Sequence, residues 1–411
     1  MSVLKYFTLD ISPLRKNRDY RLLFFGQLVS VLGTMITHVA IQYQIYQRTN
    51  STAAVGLLGV IQLLPLSISG FIGGAVADKY DRKKIIVIAE SLLALSSAGL
   101  FVTAIVPSTP VYTLYFIAAF ASFLGGFHQP ALSALTPRII EPDEIPAVSA
   151  LSGLRGTTGM IVGPSLAGII LASLGLEWTY GIDAASFGVS ITSVLFIRKK
   201  FQAERTHAAQ STIAQIKEGM HYAWKRPVLI GTYCVDIVSM MCAFPFPLFP
   251  AIAQQYGGAR AMGMLFSASA VGSFIASISS GWIADVKRHG RTIALAAIGW
   301  CVGIALAGIS NQLWLVLFFL ALAGFSDMIS AMFRQIVWNQ TIPDTVRGRM
   351  AGVEMLSYLS GPMLGGTLIG FAAEGVGTST AMIAGGVIGV AGILSLLFWL
   401  KPFWQYAAER H

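Results

Sequence analysis

Long apolar runs separated by short polar loops make up almost the whole chain, and nowhere do they alternate with the period of two that a half-buried strand requires. Twelve runs lie near 21–46, 52–77, 85–106, 111–136, 147–174, 179–197, 228–253, 261–284, 292–309, 313–340, 348–373 and 379–400. Coiled as α-helices, runs of this length cross a hydrocarbon layer about 30 Å thick, and inside lipid the helix satisfies its own backbone polar groups. Many of the runs carry the Gly, Ala and Ser that let helices approach closely where no hydrophobic force joins them. The longest stretch between runs, 198–227, divides them six and six.

The chain is thus expected to be an all-α integral membrane protein. It has a short N-terminal segment (1–20), a first six-helix bundle (21–197), a linker (198–227), a second six-helix bundle (228–400) and a tail (401–411). In the linker, Ile213, Ile216, Met220 and Trp224 fall near one helical face while Gln215, Lys217, Glu218 and Lys225 project elsewhere. That pattern suits a helix lying on a membrane surface. The basic start, with Arg15, Lys16, Arg18 and Arg21, leads into an apolar stretch too long for a cleavable signal core, so 21–46 reads as the first span.

Composition agrees with the pattern. The 411 residues are 55% hydrophobic and 11% charged, whereas a soluble domain is roughly a quarter charged. Cys234, Cys242 and Cys301 all fall inside apolar runs, giving neither a disulfide framework nor metal-ligand spacing. No cofactor or metal is expected. With the N-terminus placed in the cytoplasm, all of the 28 Lys and Arg face inside except Arg48 and Arg260, which lie outside, and Arg155 and Arg334, which lie within spans. The positive-inside rule therefore predicts both termini in the cytoplasm. The net charge of +9 is spread over short loops facing an anionic leaflet, which explains it without nucleic acid.

The two halves repeat. GGAVADKYDRKK (73–84) follows the second run, and SGWIADVKRHGR (280–291) follows the eighth; Asp78 and Asp285 are 207 positions apart, each four residues after a Gly. Pro137 and Pro343 end the fourth and tenth runs at an offset of 206, and Gly163-Pro164 matches Gly361-Pro362 at an offset of 198. Three landmarks in one order predict a parallel duplication of six helices.

On these residues the chain resembles the major facilitator superfamily along essentially its whole length. Gly74, Asp78, Lys79, Arg82 and Lys83 match that superfamily's signature between helices two and three, with Asp81 where the commonest form has Gly. The resemblance implies two pseudo-symmetric bundles and a gate at the cytoplasmic face, to which Glu90 is assigned. Close helix contact is expected at Gly74, and a carboxylate held by Arg82 at Asp78. The second copy keeps Gly281, Asp285 and Arg291 in different spacing. Gly159, Gly163, Pro164 and Gly168 in the fifth span are similar to the glycine-proline motif of the superfamily's exporters. Gly361, Pro362, Gly365 and Gly366 repeat it in the eleventh. YRLLFFGQLVS (20–30), STAAVGLLGVIQLLP (51–65) and YGIDAASF (180–187) resemble the enterobactin-exporter-like efflux branch, which also contains macrolide and multidrug exporters.

No Gly-Lys dipeptide occurs, so there is no Walker loop for a nucleotide, and transport is expected to draw on an ion gradient. Ionisable residues inside spans are costly in lipid and mark pathways. They are Asp236, Asp327, Arg155, Glu354, Arg334, His38 and His128. Protonation of a buried carboxylate, with Asp327 or Asp236 foremost, would release substrate or Arg contacts during proton antiport. Asp183 reads as a cap or interhelical bond. Phe244, Pro245, Phe246, Pro247, Phe249 and Pro250 stiffen the outer half of the seventh span, which reads as a bent lipid-facing helix or as a wall for an aromatic cargo. The expected function is secondary export, by a monomer in the cytoplasmic membrane, of a small molecule of siderophore or related type. The alternative is drug or macrolide efflux; a membrane receptor or enzyme would need a ligand domain or catalytic constellation that is not seen.

Overall fold

The computed structural model describes residues 10–198 and 212–407. In chain order the helices are α1 (Ser12–Lys16), α2 (Arg18–Thr49), α3 (Thr52–Lys79), α4 (Arg82–Ile105), α5 (Val111–Ile139), α6 (Ile145–Ser173), α7 (Leu176–Leu195) and α8 (Thr212–Trp224). They continue with α9 (Pro227–Cys242), α10 (Phe249–Gln255), α11 (Ala259–Ile278), α12 (His289–Ile309), α13 (Leu313–Thr341), α14 (Asp344–Val376), α15 (Thr378–Trp399) and α16 (Lys401–Gln405). Ten segments of the described chain are long and apolar enough to cross a membrane, counting α9 and α10 as one. The 20-residue α7 and the 33-residue α14 have spanning length as well. The protein is all-helical and multi-pass.

Packing divides the chain into two compact units, Met1–Ile41 with Leu64–Ala209, and Gln42–Leu63 with Gln210–His411. The facing tips of α2 and α3 thus pack with the second unit. In the first unit α4 lies against α5 and α7; in the second, α13 lies against α11 and α12, and α9 against α14 and α15.

The seventh run departs from the expected single span. α9 stops at Cys242, and a 3-10 turn (Phe246–Leu248) precedes α10. Prolines 245, 247 and 250 remove the N–H donors that would continue the ladder, so nearby carbonyls lose their partners. One of them, on Ala243, is recovered by the Trp300 indole Nε1–H at 2.9 Å, the kind of side-chain repair a break within a membrane requires. The aromatic stretch does not face lipid: Pro247, Leu248, Phe249 and Pro250 are buried. Phe246 and Phe249 pack on Phe266 of α11 with ring centroids 5.3 and 5.0 Å apart. Ring-on-ring packing against Phe266, rather than contact with lipid, holds this stretch, which is why the lipid-facing expectation fails.

In α8, Gly219 and Ala223 are buried while Met220 and Trp224 are exposed, so the larger apolar groups are free to meet a membrane. The side chains of Ile213, Gln215, Ile216 and Lys217 lie outside the described residues, as do the first nine residues, most of the linker before Thr212, and the last four residues.

Candidate functional site

The loop after α3 is built by local hydrogen bonds. Asp81 accepts from the Lys83 and Lys84 backbone N–H groups at 2.9 and 3.4 Å and so caps α4. An acidic cap replaces the commoner Gly because a side-chain oxygen satisfies donors that Gly would leave open. Asp78 approaches Arg82 at 4.0 Å across the bend between α3 and α4, with Arg82 buried and Asp78 exposed. Lys83 donates through Nζ to the Leu195 and Ile197 carbonyls, both at 2.9 Å. Its charge therefore sits at the negative C-terminal end of α7.

The close helix approach expected at Gly74 is found one residue earlier. A Cβ at Gly74 would meet nothing within 4 Å, whereas one at Gly73 would collide with the Gly126 carbonyl of α5. Glu90, grouped with the gate on sequence, makes none of its bonds to the loop. Its Oε1 accepts from Gln27 Nε2 at 2.7 Å and Ser190 Oγ at 2.8 Å and faces His128 Nε2 at 3.1 Å. These partners come from α2, α7 and α5, which no sequence spacing relates.

In the second copy, Asp285 ends a 3-10 turn and is exposed. Arg291 lies over the Trp404 ring, 5.1 Å from its centroid. No ion pair joins Asp285 to Arg291 among the described residues, and Gly281 faces open space. The altered spacing of this copy has cost it the carboxylate–arginine pair of the first.

Both glycine-proline motifs are contact points. Gly159 and Gly163 of α6 receive Val31 and Met35 of α2, while Gly361 and Gly365 of α14 receive Met240 and its neighbours on α9. Gly366 lies against Pro247. Pro164 and Gly168 are buried in an α6 that runs unbroken from 145 to 173, and α14 likewise runs through Pro362. The two motifs thus make equivalent contacts, fifth span to first and eleventh to seventh, as duplication requires.

Of the ionisable residues, the fold brings Asp236 and Arg334 together: Arg334 Nη1 donates to Asp236 Oδ1 and also to Ser330 Oγ at 3.3 Å. One turn along, Trp338 donates through Nε1 to Thr232 Oγ1 at 2.9 Å. Advancing four residues on α13 retreats four on α9, so the two helices are zipped by an antiparallel pair of polar rungs. Asp327 makes no hydrogen bond among the described residues but feels the Arg334 charge. Glu354 interacts with Arg347 on its own helix. Arg155 borders a cavity of about 370 Å³ with Gln129, Ser133, Thr136, Ser149 and Ser152. His38 is exposed, and His128 is buried on Glu90.

Asp183 takes the interhelical role expected of it, accepting from Thr37 Oγ1 at 2.7 Å and Ser97 Oγ at 2.6 Å. No group of three or more His, Cys, Asp or Glu that could hold a metal occurs among the described residues.

Known proteins share this architecture. The chain is 26% identical over 393 residues to the enterobactin exporter EntS of Shigella boydii serotype 18, covering 95% of this chain and 94% of that one. It is 26% identical over 392 residues to EntS of Salmonella typhi, with the same coverage. A mutant of the nucleoside transporter NupG superposes with a TM-score of 0.73 at 13% identity, covering 94% of this chain and all of that one. A POT family transporter in complex with 5-aminolevulinic acid gives 0.72 at 12% identity, covering 94% and 97%. At those identities the two structures speak for the fold alone. The model of the transmembrane secretion effector family matches residues 8–409, nearly the whole chain, and the chain belongs to that family of major facilitator transporters.

Proposed function

We propose that the protein is a proton-coupled exporter of a bulky, polar small molecule of the siderophore type, working by alternating access in the cytoplasmic membrane as a monomer with both termini inside. The observation that carries this reading is the relatedness, along 95% of the chain, to proteins named enterobactin exporter. Carboxylates buried in membrane helices support the coupling, because such groups gain or lose charge when a proton binds and so favour one conformation over another. Asp236 is already held by Arg334, so Asp327, which makes no hydrogen bond among the described residues, is assigned to exchange a proton or meet substrate. The Asp78–Arg82 turn, with Asp81 and Lys83 pinning its neighbours, serves as the latch of the cytoplasmic face.

The test is transport in proteoliposomes under an imposed pH gradient, offering iron-free enterobactin first and then a panel of macrolides and other drugs. Gradient-driven flux of enterobactin, abolished by a protonophore and by Asp327→Asn, is the expected result. Flux confined to several unrelated drugs would replace the siderophore reading with drug efflux. No gradient-driven flux of any compound would end the proposal.

A further inference from the structure

Glu90 makes no bond to the gate loop with which the sequence grouped it, and it pairs instead with His128. Glu90 is fully buried, and its three neighbours all crowd one oxygen: Gln27 Nε2 at 2.7 Å, Ser190 Oγ at 2.8 Å and His128 Nε2 at 3.1 Å. The other oxygen, Oε2, is buried with no hydrogen-bond partner. A structural carboxylate is expected to have both oxygens satisfied, because a bare charged oxygen in a dry interior is far more costly than a bare neutral one. Gln27 is itself fixed, its Nε2 also donating to Ser190 Oγ at 2.9 Å.

Among the described residues, no Lys or Arg is hydrogen-bonded or ion-paired to Glu90. α2 contributes neutral Gln27 and α7 neutral Ser190; α5 contributes His128, the one titratable partner among the described residues. On α7 the next carboxylate toward the helix start is Asp183, seven residues from Ser190 and roughly 10 Å along the axis, and it is occupied by Thr37 and Ser97. On α4 itself Arg82 is two turns away beside Asp78. His128 is buried as well, so each member of the pair depends on the other for its charge.

We propose that Glu90 and His128 form a proton-binding site in the first unit, separate from the Asp236, Asp327 and Arg334 group of the second. With one proton, the pair is a carboxylic acid beside a neutral imidazole, or a carboxylate beside an imidazolium. Transfer from Glu90 to His128 Nε2 interconverts these with no change in net charge. A second proton from the aqueous side leaves the acid and the imidazolium together with a net charge of plus one. Protonation of Glu90 removes the carboxylate charge and leaves a neutral acceptor for His128, so occupancy by protons weakens the link between α4 and α5. The coupling role of this site rests on the proton-coupled export proposed above; its proton binding does not.

Two measurements separate those claims. Infrared difference spectra of the purified full-length protein on a pH jump need no substrate. They are expected to show a protonated-carboxyl band that is absent in Glu90→Gln, reappears shifted in Glu90→Asp, and changes its pH dependence in His128→Gln. A merely structural Glu90 would leave the spectrum the same in Glu90→Gln, and that result would overturn the site. In proteoliposomes with enterobactin as the probe, Glu90→Gln is expected to keep counterflow, which shows that it is folded, and to lose accumulation driven by the pH gradient. Full gradient-driven accumulation in Glu90→Gln would overturn the coupling role. If the wild type moves no probe, the export reading falls while the infrared result still decides the proton site.

Discussion

Removing one member of the Asp236–Arg334 pair should do far more damage than removing both. The two side chains are only 5% and 3% exposed, so each charge depends on its partner rather than on water. In Asp236→Leu the guanidinium keeps Ser330 Oγ at 3.3 Å and the face of Tyr358, 5.8 Å away, and its Nε is already buried without a partner. Breaking a buried pair in this way costs about 3–5 kcal/mol, whereas replacing both members by apolar groups of similar volume is often neutral or better. Asp236→Leu and Arg334→Met should therefore each lose on the order of 3 kcal/mol or more, with the double variant returning to within about 1–2 kcal/mol of the parent. Reversible unfolding in detergent gives the double-mutant cycle, and Trp338, bonded to Thr232 on the adjacent rung, is a local fluorescence reporter. Single losses below about 1 kcal/mol, or a double variant that loses the sum of the two, would refute the argument that this pair is dry and mutually dependent. Transport by the double variant then tells whether the rung serves assembly alone, since retained gradient-driven export would remove Asp236 from the coupling machinery.

Gly272 and Gly324 mark where α11 crosses α13: a Cβ on Gly272 would strike the Ala321 carbonyl, one on Gly324 the Ser269 carbonyl, and Ser273 Oγ bonds the Gly324 carbonyl at 2.9 Å. Each Ala substitution should cost about 1–3 kcal/mol despite its better helix propensity, and the pair should cost less than the sum because one separation accommodates both methyls; strictly additive losses in thermal unfolding would count against a shared crossing. Glu374, just past the apolar stretch ending at 373, accepts from Ser51 Oγ at 3.0 Å, Ala53 N–H at 3.3 Å and Thr52 Oγ1 at 3.2 Å, and the Ser51 bond above all holds its carboxyl below the usual 4.5. A lowered carboxyl adds stability above its unfolded pKa and loses it as pH falls through the folded one. The stability difference between wild type and Glu374→Gln should be small at neutral pH, because the group is exposed, and should vanish in acid; a difference that persists or grows below pH about 4 would show that the carboxylate is not the source.

Spans were legible in the chain because lipid allows one local solution, the helix, and the length of an apolar run is enough to reveal it. The roles of Asp81 and Lys83 lay half in view: their charges and places were plain, but the Leu195 and Ile197 carbonyls that Lys83 meets come from a helix a hundred residues on. The break after Cys242 had its prolines on display, yet whether a helix bends through prolines or stops at them depends on a remote donor, here Trp300. A guanidinium inside a span needs a partner, and only folding could name Asp236 as the one for Arg334. Glu90 shows the limit most clearly, since its partners stand 63, 38 and 100 positions away and no periodicity links four helices around one oxygen.

The paired glycine motifs differ in what they touch, and that bears on how a duplicated carrier can drift. Gly159 faces the branched end of Val31, a side chain that can turn aside or be exchanged for a smaller one, while Gly365 faces the Met240 carbonyl and lies 2.7 Å, measured from an added Cβ, from the Met241 Cα. Backbone cannot be exchanged. At the offset of 198 the fifth span already carries a methyl at the place of Gly365, as Ala167, whereas the same methyl in the eleventh has no single-residue remedy. Two helices in matching places of the repeat thus hold unequal freedom to vary, and substitutions should be tolerated at Ala167 sooner than at Gly365.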